Sequence, residues 1–303
     1  MLNKLNALNV PAYLTLWILD YLTERSQYVR TKYGVSDIIT VNTGAPQGCV
    51  LSPVLFVLYT NDLAWDTNGA MIKKYADDTA VVGFISNDDD SEYVECIEFV
   101  NTWCKDNYLD LNVPKTKELI FDFRRNKAEK QPVEINNMQV ERTSVYRYLG
   151  CMVDDKLSFA QHVDNQLKKA NKRLYFARSM RKLNVSSNVI SLFYNSTIYT
   201  VLSYANIAFY DMLPTYLKHD LNRPRNICRK LVSNEFYELS DNSTLYKLKS
   251  FKTATKIIKD STHPLHTEYE YLPSGRRLRV PRARTNRFKY SFVPRSIHLI
   301  NNM

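Results

Sequence analysis

The spacing of apolar positions divides this chain into a first part where helical and strand periods interleave and a later part where the helical period dominates. Leu14, Trp17, Ile18, Tyr21 and Leu22 share one helical face, and Pro11 suits the first turn of that helix because no N–H is needed there. Gln27 to Lys32 and Ile38 to Asn42 predict two strands around a Tyr33-Gly34 turn. A loop rich in Gly and Pro, Thr43 to Pro53, leads to Ser52 as N-cap and Pro53 as first residue of a helix reaching Leu63. Met71-Ile72 and Ala80-Val81-Val82 then flank Asp77-Asp78, which predicts a tight hairpin with both carboxylates at or beside its turn.

Acidic residues from Asp88 to Glu92 suit a helix N-terminus, and Tyr93, Ile97, Val100 and Cys104 form the stripe behind them. Leu119 to Phe123 reads as a strand, and Val133 to Val140 as a hairpin turning at Asn136-Asn137. Tyr146 to Val153 reads as a strand containing Gly150, a residue that marks a bulge or a close backbone approach there. After Asp155 the period becomes helical. Ser158 and Gln161 predict a capping box, followed by Val163, Leu167, Ala170, Leu174, Ala177 and Met180. A second run carries Ile190, Phe193, Thr197, Val201, Tyr204 and Ala208. Pro214, Pro224 and Pro264 punctuate the remainder, which holds one further helix from Ser243 to Ile258.

Composition adds a partner class to this pattern. An apolar content of 45% supports a packed core, while the net charge of +10 over 303 residues suggests a polyanionic partner. From Tyr271 onward there is no acidic residue, and arginines recur from Arg276 to Arg295. Five widely spaced cysteines without a C-x-x-C fit neither a disulfide framework nor a zinc ribbon. No stretch approaches a membrane span and no signal peptide is visible. The expectation is an intracellular protein, nuclear or cytoplasmic, neither secreted nor membrane-bound.

The Asp77-Asp78 pair alone reads either as a solvated turn or as a divalent-cation ligand. Four segments in order decide between them: Gly44-Ala-Pro-Gln-Gly-Cys-Val-Leu-Ser-Pro53, Tyr75-Ala-Asp-Asp78, Leu111-Asn-Val-Pro-Lys-Thr-Lys117 and Tyr148-Leu-Gly150. Together they resemble motifs B, C, D and E of the reverse transcriptases of non-LTR (LINE-type) retrotransposons. Leu272 to Arg277 and Ser291 to Pro294 are similar to the C-terminal ends of such reading frames.

That resemblance implies an α+β fold: an incomplete polymerase palm (antiparallel sheet with packed helices) over 1–153, a helical thumb over 154–213 and a basic C-terminal region over 214–303. It implies Asp77 and Asp78 as catalytic metal ligands for Mg²⁺ or Mn²⁺, two ions in a complete enzyme. Tyr75 corresponds to the tyrosine near the primer end, and Pro46, Gln47 and Gly48 to the loop approaching template and nascent base pair. Lys115 corresponds to the motif D lysine beside the incoming triphosphate, with general-acid chemistry open to it, and Lys117 could replace it. Tyr148, Leu149 and Gly150 correspond to the primer grip, and Lys168, Lys172 and Arg173 to thumb contacts with a duplex backbone. The implied partners are RNA template, DNA primer, their RNA–DNA duplex and deoxynucleoside triphosphates.

The chain departs from the family at one point that matters. A third aspartate, in motif A, precedes the segment resembling Leu2 to Pro11, and the only aspartates before motif B here are Asp20 and Asp37, without that motif's surroundings. The expectation is a truncated RNA-directed DNA polymerase, inactive alone. The alternative is a non-catalytic nucleic-acid-binding remnant.

Overall fold

Ala70–Tyr75 pairs antiparallel with Asp78–Gly83, in register from Ala70 opposite Gly83 to Tyr75 opposite Asp78. Alternation along the first strand sends Ala70 and Ile72 inward, where they pack with Leu63, Cys96, Val100, Trp103 and Cys104. The last four lie on the helix Ser91–Asp106. Gly83 lets Tyr93 of that helix lie against the hairpin, since a Cβ there would sit 2.7 Å from the ring. The hairpin is thus seated on a helix at its base and free at its tip.

This computed structural model describes residues 1–126, 130–232, 239 and 241–302. By contact the chain divides into two units, one of Met1–Glu118 with Asn126–Glu141, the other of Leu119–Arg125 with Arg142–Met303. Residues 142–153 therefore group with the helices that follow them. Helices and, among the described residues, six two-stranded sheets make the chain an α+β protein.

In the first unit, Ala12–Leu22 is helical as its spacing predicts, but of the expected face only Ile18 is fully buried, against Leu5 and Leu55. Trp17 stays 55% exposed and stacks on Tyr21. The two strands expected before the Gly/Pro loop form as a longer interrupted ribbon, Arg25–Gln27 pairing with Ile39–Val41 and Arg30–Thr31 with Gly34–Val35. The helix expected from Pro53 begins earlier, as Leu51–Tyr59, so Ser52 lies inside its first turn and is not its N-cap. Asn136 and Asn137 both take positive φ, 52° and 60°, and turn the hairpin Glu134–Gln139 as expected.

The core of the second unit lies under the helix Ala160–Lys182, whose Val163, Ala170, Leu174 and Ala177 meet Tyr194, Ile198, Leu202, Phe209 and Leu221. The predicted capping box does not form. Asp154 instead accepts hydrogen bonds from the N–H groups of Lys156 (3.1 Å), Ser158 (3.0 Å) and Phe159 (2.8 Å) and from the Ser158 hydroxyl (3.0 Å). The second helical run is broken by a π turn, Tyr194–Ile198. That extra residue per turn moves the buried positions to Tyr194, Ile198 and Leu202, in place of Phe193, Thr197 and Val201.

Two further expectations change. Leu119 to Phe123 is not a strand: it finds no pairing edge, and Phe123 lies under the Arg287 guanidinium at 3.8 Å. Pro224 does not interrupt the chain but sits buried within the helix Thr215–Leu231. The helix expected at Ser243 to Ile258 forms as Asn242–Lys259. It shares a small core with Tyr269, Leu278 and Ile297, so the arginine-rich end is folded onto the unit.

Candidate active site

Two residues, Ala76 and Asp77, make the turn between Tyr75 and Asp78. Ala76 takes φ 54°, a left-handed conformation that costs a residue with a Cβ about 1 kcal/mol. Strain of this kind concentrates where chemistry fixes the backbone. Tyr75, Asp77 and Asp78 are all exposed at the tip. Neither carboxylate has a hydrogen-bond or ion-pair partner among the described residues. Two like charges therefore stand side by side at the tip without a cation of the protein to offset them.

The Pro46-Gln47-Gly48 turn is held from below. Arg25 donates to the carbonyls of Thr43 (2.5 Å) and Gly44 (3.0 Å), and the Ser52 hydroxyl donates to the Pro46 carbonyl. Cys49 follows the turn, its Sγ 3.0 Å from the Ser52 hydroxyl and 2.8 Å from that of Tyr21, and accepts from the Ser52 N–H at 3.2 Å. Those contacts, Ser52 foremost and Tyr21 next, lower the thiol's pKa to about 7. Gln47 and Gly48 project into solvent, Gly48 with φ 80°. The sequence reading missed Arg25, Tyr21 and Cys49 as the loop's supports, and only their polar character next to a Gly/Pro loop could have signalled them.

Lys115 ends a short 3₁₀ turn, Val113–Lys115, capped by Asn112, whose side chain accepts from the Lys115 N–H at 3.2 Å. Its amine is exposed and unpaired among the described residues. Lys117 differs, being paired with Glu141 at 2.5 Å and bonded to the Pro114 carbonyl at 3.3 Å. Of the two lysines, Lys115 is the one with a free amine.

The remaining expected residues lie in the second unit. Tyr148-Leu-Gly150 is no strand interior but the tip of a hairpin, Val145–Tyr148 with Cys151–Asp154. Leu149 and Gly150 turn it with φ 45° and 82°, and the Tyr204 hydroxyl donates to the Leu149 carbonyl. On the long helix Lys168 is paired with Asp164 at 2.7 Å, and Lys172 is exposed and has no partner among the described residues. Arg173 is half-buried and donates to the Thr197 carbonyl in the π turn. No group of three His, Cys, Asp or Glu side chains comes together as a metal site among the described residues, and Asp20 and Asp37 are each exposed. No helix among those residues is long and apolar enough to cross a membrane, and all five cysteines are free thiols.

Residues 1–153 match the family described as reverse transcriptase (RNA-dependent DNA polymerase). Residues 161–200 match a family described as alkylated DNA repair protein alkB homolog 8, N-terminal. The chain is 30% identical over 166 residues to the probable RNA-directed DNA polymerase from transposon BS of Drosophila melanogaster, covering 52% of this chain and 18% of that protein. It is 28% identical over 167 residues to the RNA-directed DNA polymerase from mobile element jockey of the same fly, covering 51% and 18%. A third relative, from transposon X-element, is 27% identical over 180 residues, covering 56% and 20%. The chain spans about a fifth of the length of these curated relatives. No solved structure matches.

Proposed function

The chain belongs to the reverse transcriptase (RNA-dependent DNA polymerase) family through residues 1–153, and we propose that it is the polymerase portion of a non-LTR retrotransposon protein, acting on an RNA template and a DNA primer. The observation that carries this reading is the free pair Asp77-Asp78 on a strained tip inside the matched stretch. Its donor set fits Mg²⁺ or Mn²⁺ in kind, since hard cations take carboxylate oxygens, but not in number. Asp77 and Asp78 would hold the metal together with substrate phosphate oxygens. Divalent ions bound there supply electrostatic clamping of the attacking and leaving oxygens in nucleotidyl transfer. In that reaction a primer 3′-hydroxyl forms a bond to the α-phosphorus of a deoxynucleoside triphosphate, and pyrophosphate leaves.

Lys115 is the proposed general acid, because its amine is free to give the leaving pyrophosphate a proton. Gln47 and Gly48 offer side chain and bare backbone to the nascent pair, held in place by Arg25, Ser52 and Cys49. Tyr75 stands beside the carboxylates at the primer end. The hairpin tip at Tyr148-Leu-Gly150 is the proposed primer grip, with Lys168 and Lys172 on the exposed face of the helix behind it.

Primer extension on an RNA template, with Mg²⁺ or Mn²⁺, tests this together with binding of an RNA–DNA duplex. The 303-residue polypeptide is expected to bind the duplex and to incorporate no nucleotide. Synthesis abolished by Asp77→Ala would show that the metal site is complete after all. Failure to bind a duplex at low salt would overturn the proposed function.

A further inference from the structure

We infer that His162 is a pH-sensitive latch: when neutral it holds the hairpin Val145–Asp154 to the long helix Ala160–Lys182, and when protonated it lets the hairpin go. That the released hairpin is a primer grip rests on the proposed function. Met152 stands opposite Arg147 in the hairpin, and its N–H points out of the two-stranded ladder to the His162 ring at 3.3 Å. The acceptor is Nδ1, so the bond exists only while that nitrogen carries no proton. Protonation sets one N–H against another, and the contact that secured the strand edge becomes a repulsion. The hairpin then depends on the bond from the Tyr204 hydroxyl to the Leu149 carbonyl and on the partial burial of Cys151 and Val153.

The surroundings of the ring give an imidazolium no counter-charge. His162 is 3% exposed and meets the Phe209 ring edge-on at 5.0 Å. Its own helix brings Lys169 and Arg173 to the same cleft, the hairpin brings Arg147, and no carboxylate lines that cleft. Asp154, at the end of the hairpin, is turned to the N–H groups of Lys156, Ser158 and Phe159. Burial pushes the Cys151 thiol up to about 11, so it stays neutral. Residues 199–209 bring tyrosines and Phe209 but no charged side chain. Burial, foremost, lowers the pKa of His162; the Tyr204 carbonyl opposes that shift and Lys169 adds to it. A ring freed with the hairpin regains an ordinary pKa of about 6.5. Below that pH the open state takes up a proton that the closed state refuses, so the latch holds above about 6.5 and weakens as pH falls toward the folded value. Asp154 keeps its charge across this window, its own pKa being depressed.

The test is hydrogen exchange at the Met152 amide of the full 303-residue chain, followed by NMR and corrected for the intrinsic pH dependence of exchange. Between about pH 6.5 and about pH 5, protection in the wild type is expected to fall by up to about tenfold per pH unit. In His162→Asn the amide oxygen accepts in place of Nδ1 and does not titrate, so protection should stay flat. Constant protection in the wild type, or an equal fall in His162→Asn, would overturn the latch. Should that variant not fold, the ring nitrogens of the wild type decide: a titration that coincides with the loss of protection supports the latch, and a ring that stays neutral while protection falls overturns it. Fluorescence anisotropy with a labelled RNA–DNA duplex at both ends of the range separates the latch from the polymerase reading. Affinity lost in acid by the wild type and kept by His162→Asn supports the hairpin as part of the duplex site. Affinity unchanged in both while Met152 opens keeps the latch and overturns the primer grip. A wild type that binds no duplex at neutral pH overturns the polymerase reading and leaves the latch to the exchange result.

Discussion

Asp154→Ala is expected to lower the stability of the second unit by about 3 kcal/mol, because it strands three N–H groups and a hydroxyl that converge on one carboxylate. These bonds organise the bend that feeds the long helix, where Phe159 takes φ 56° and Ser158 offers only a weak 3.3 Å contact to the Ala160 N–H. Burial alone would raise the pKa of Asp154. The hydrogen bonds from Ser158, Phe159 and Lys156 outweigh it, and the net shift is downward. A carboxylate whose folded pKa is depressed stabilises above its unfolded value and loses that contribution as pH falls through the folded one. The gap between wild type and Asp154→Ala should therefore hold from neutrality to about pH 5 and shrink below about pH 4. Urea titrations across that range check both the size and the sign.

Gly150→Val is expected to cost about 3 kcal/mol, by forcing a β-branched residue into a left-handed turn and pushing on Tyr204. Gly150 sits at φ 82°, and a Cβ there would lie 3.3 Å from the Tyr204 hydroxyl oxygen. That hydroxyl donates to the Leu149 carbonyl, so the same substitution loosens the bond tying the hairpin tip to its helix. Tyr204→Phe alone should cost about 1 kcal/mol. Because both changes act on one contact, the double variant should cost less than their sum. Chemical denaturation of the three variants measures this, and a Gly150→Val chain as stable as wild type would show that the turn tolerates a side chain.

The elements most legible in the sequence were those whose local chemistry leaves little choice. Asn136 and Asn137 take the turn expected, because positive φ and short polar side chains suit two-residue hairpins, and Asp77 and Asp78 lie at and beside the turn expected, where Ala76 supplies the positive φ. The stripe Ile97, Val100 and Cys104 is buried as its spacing predicts. What was not legible depended on tertiary partners. Ser158 and Gln161 look like a capping box, yet Asp154, at the end of the preceding strand, takes the Ser158 N–H that the box would assign to Gln161. Leu119 to Phe123 has strand residues but no neighbouring edge, and isolated β propensity makes no sheet. Pro224 looks like a break and is instead carried inside a helix packed through Leu217, Leu221 and Cys228. The π turn at Tyr194–Ile198 leaves no local signature, and the buried positions along this run are Ile190, Tyr194, Ile198 and Leu202.

The candidate site divides the same way. Its carboxylates, loop and lysines were visible as motifs, since chemistry fixes residue type at fixed spacing. Arg25, Tyr21 and Cys49 were not, because their roles come from folding distant positions together.

Mn²⁺ titration into an isotope-labelled sample of the 303-residue chain, followed by NMR, asks whether the Asp77–Asp78 tip receives a divalent cation. Paramagnetic broadening should strike the amides of Tyr75 to Thr79 first and should vanish from them in Asp77→Asn with Asp78→Asn. Broadening that begins elsewhere, or that persists at the tip when both carboxylates are gone, would contradict the assignment of this hairpin as the cation-binding edge of a polymerase site.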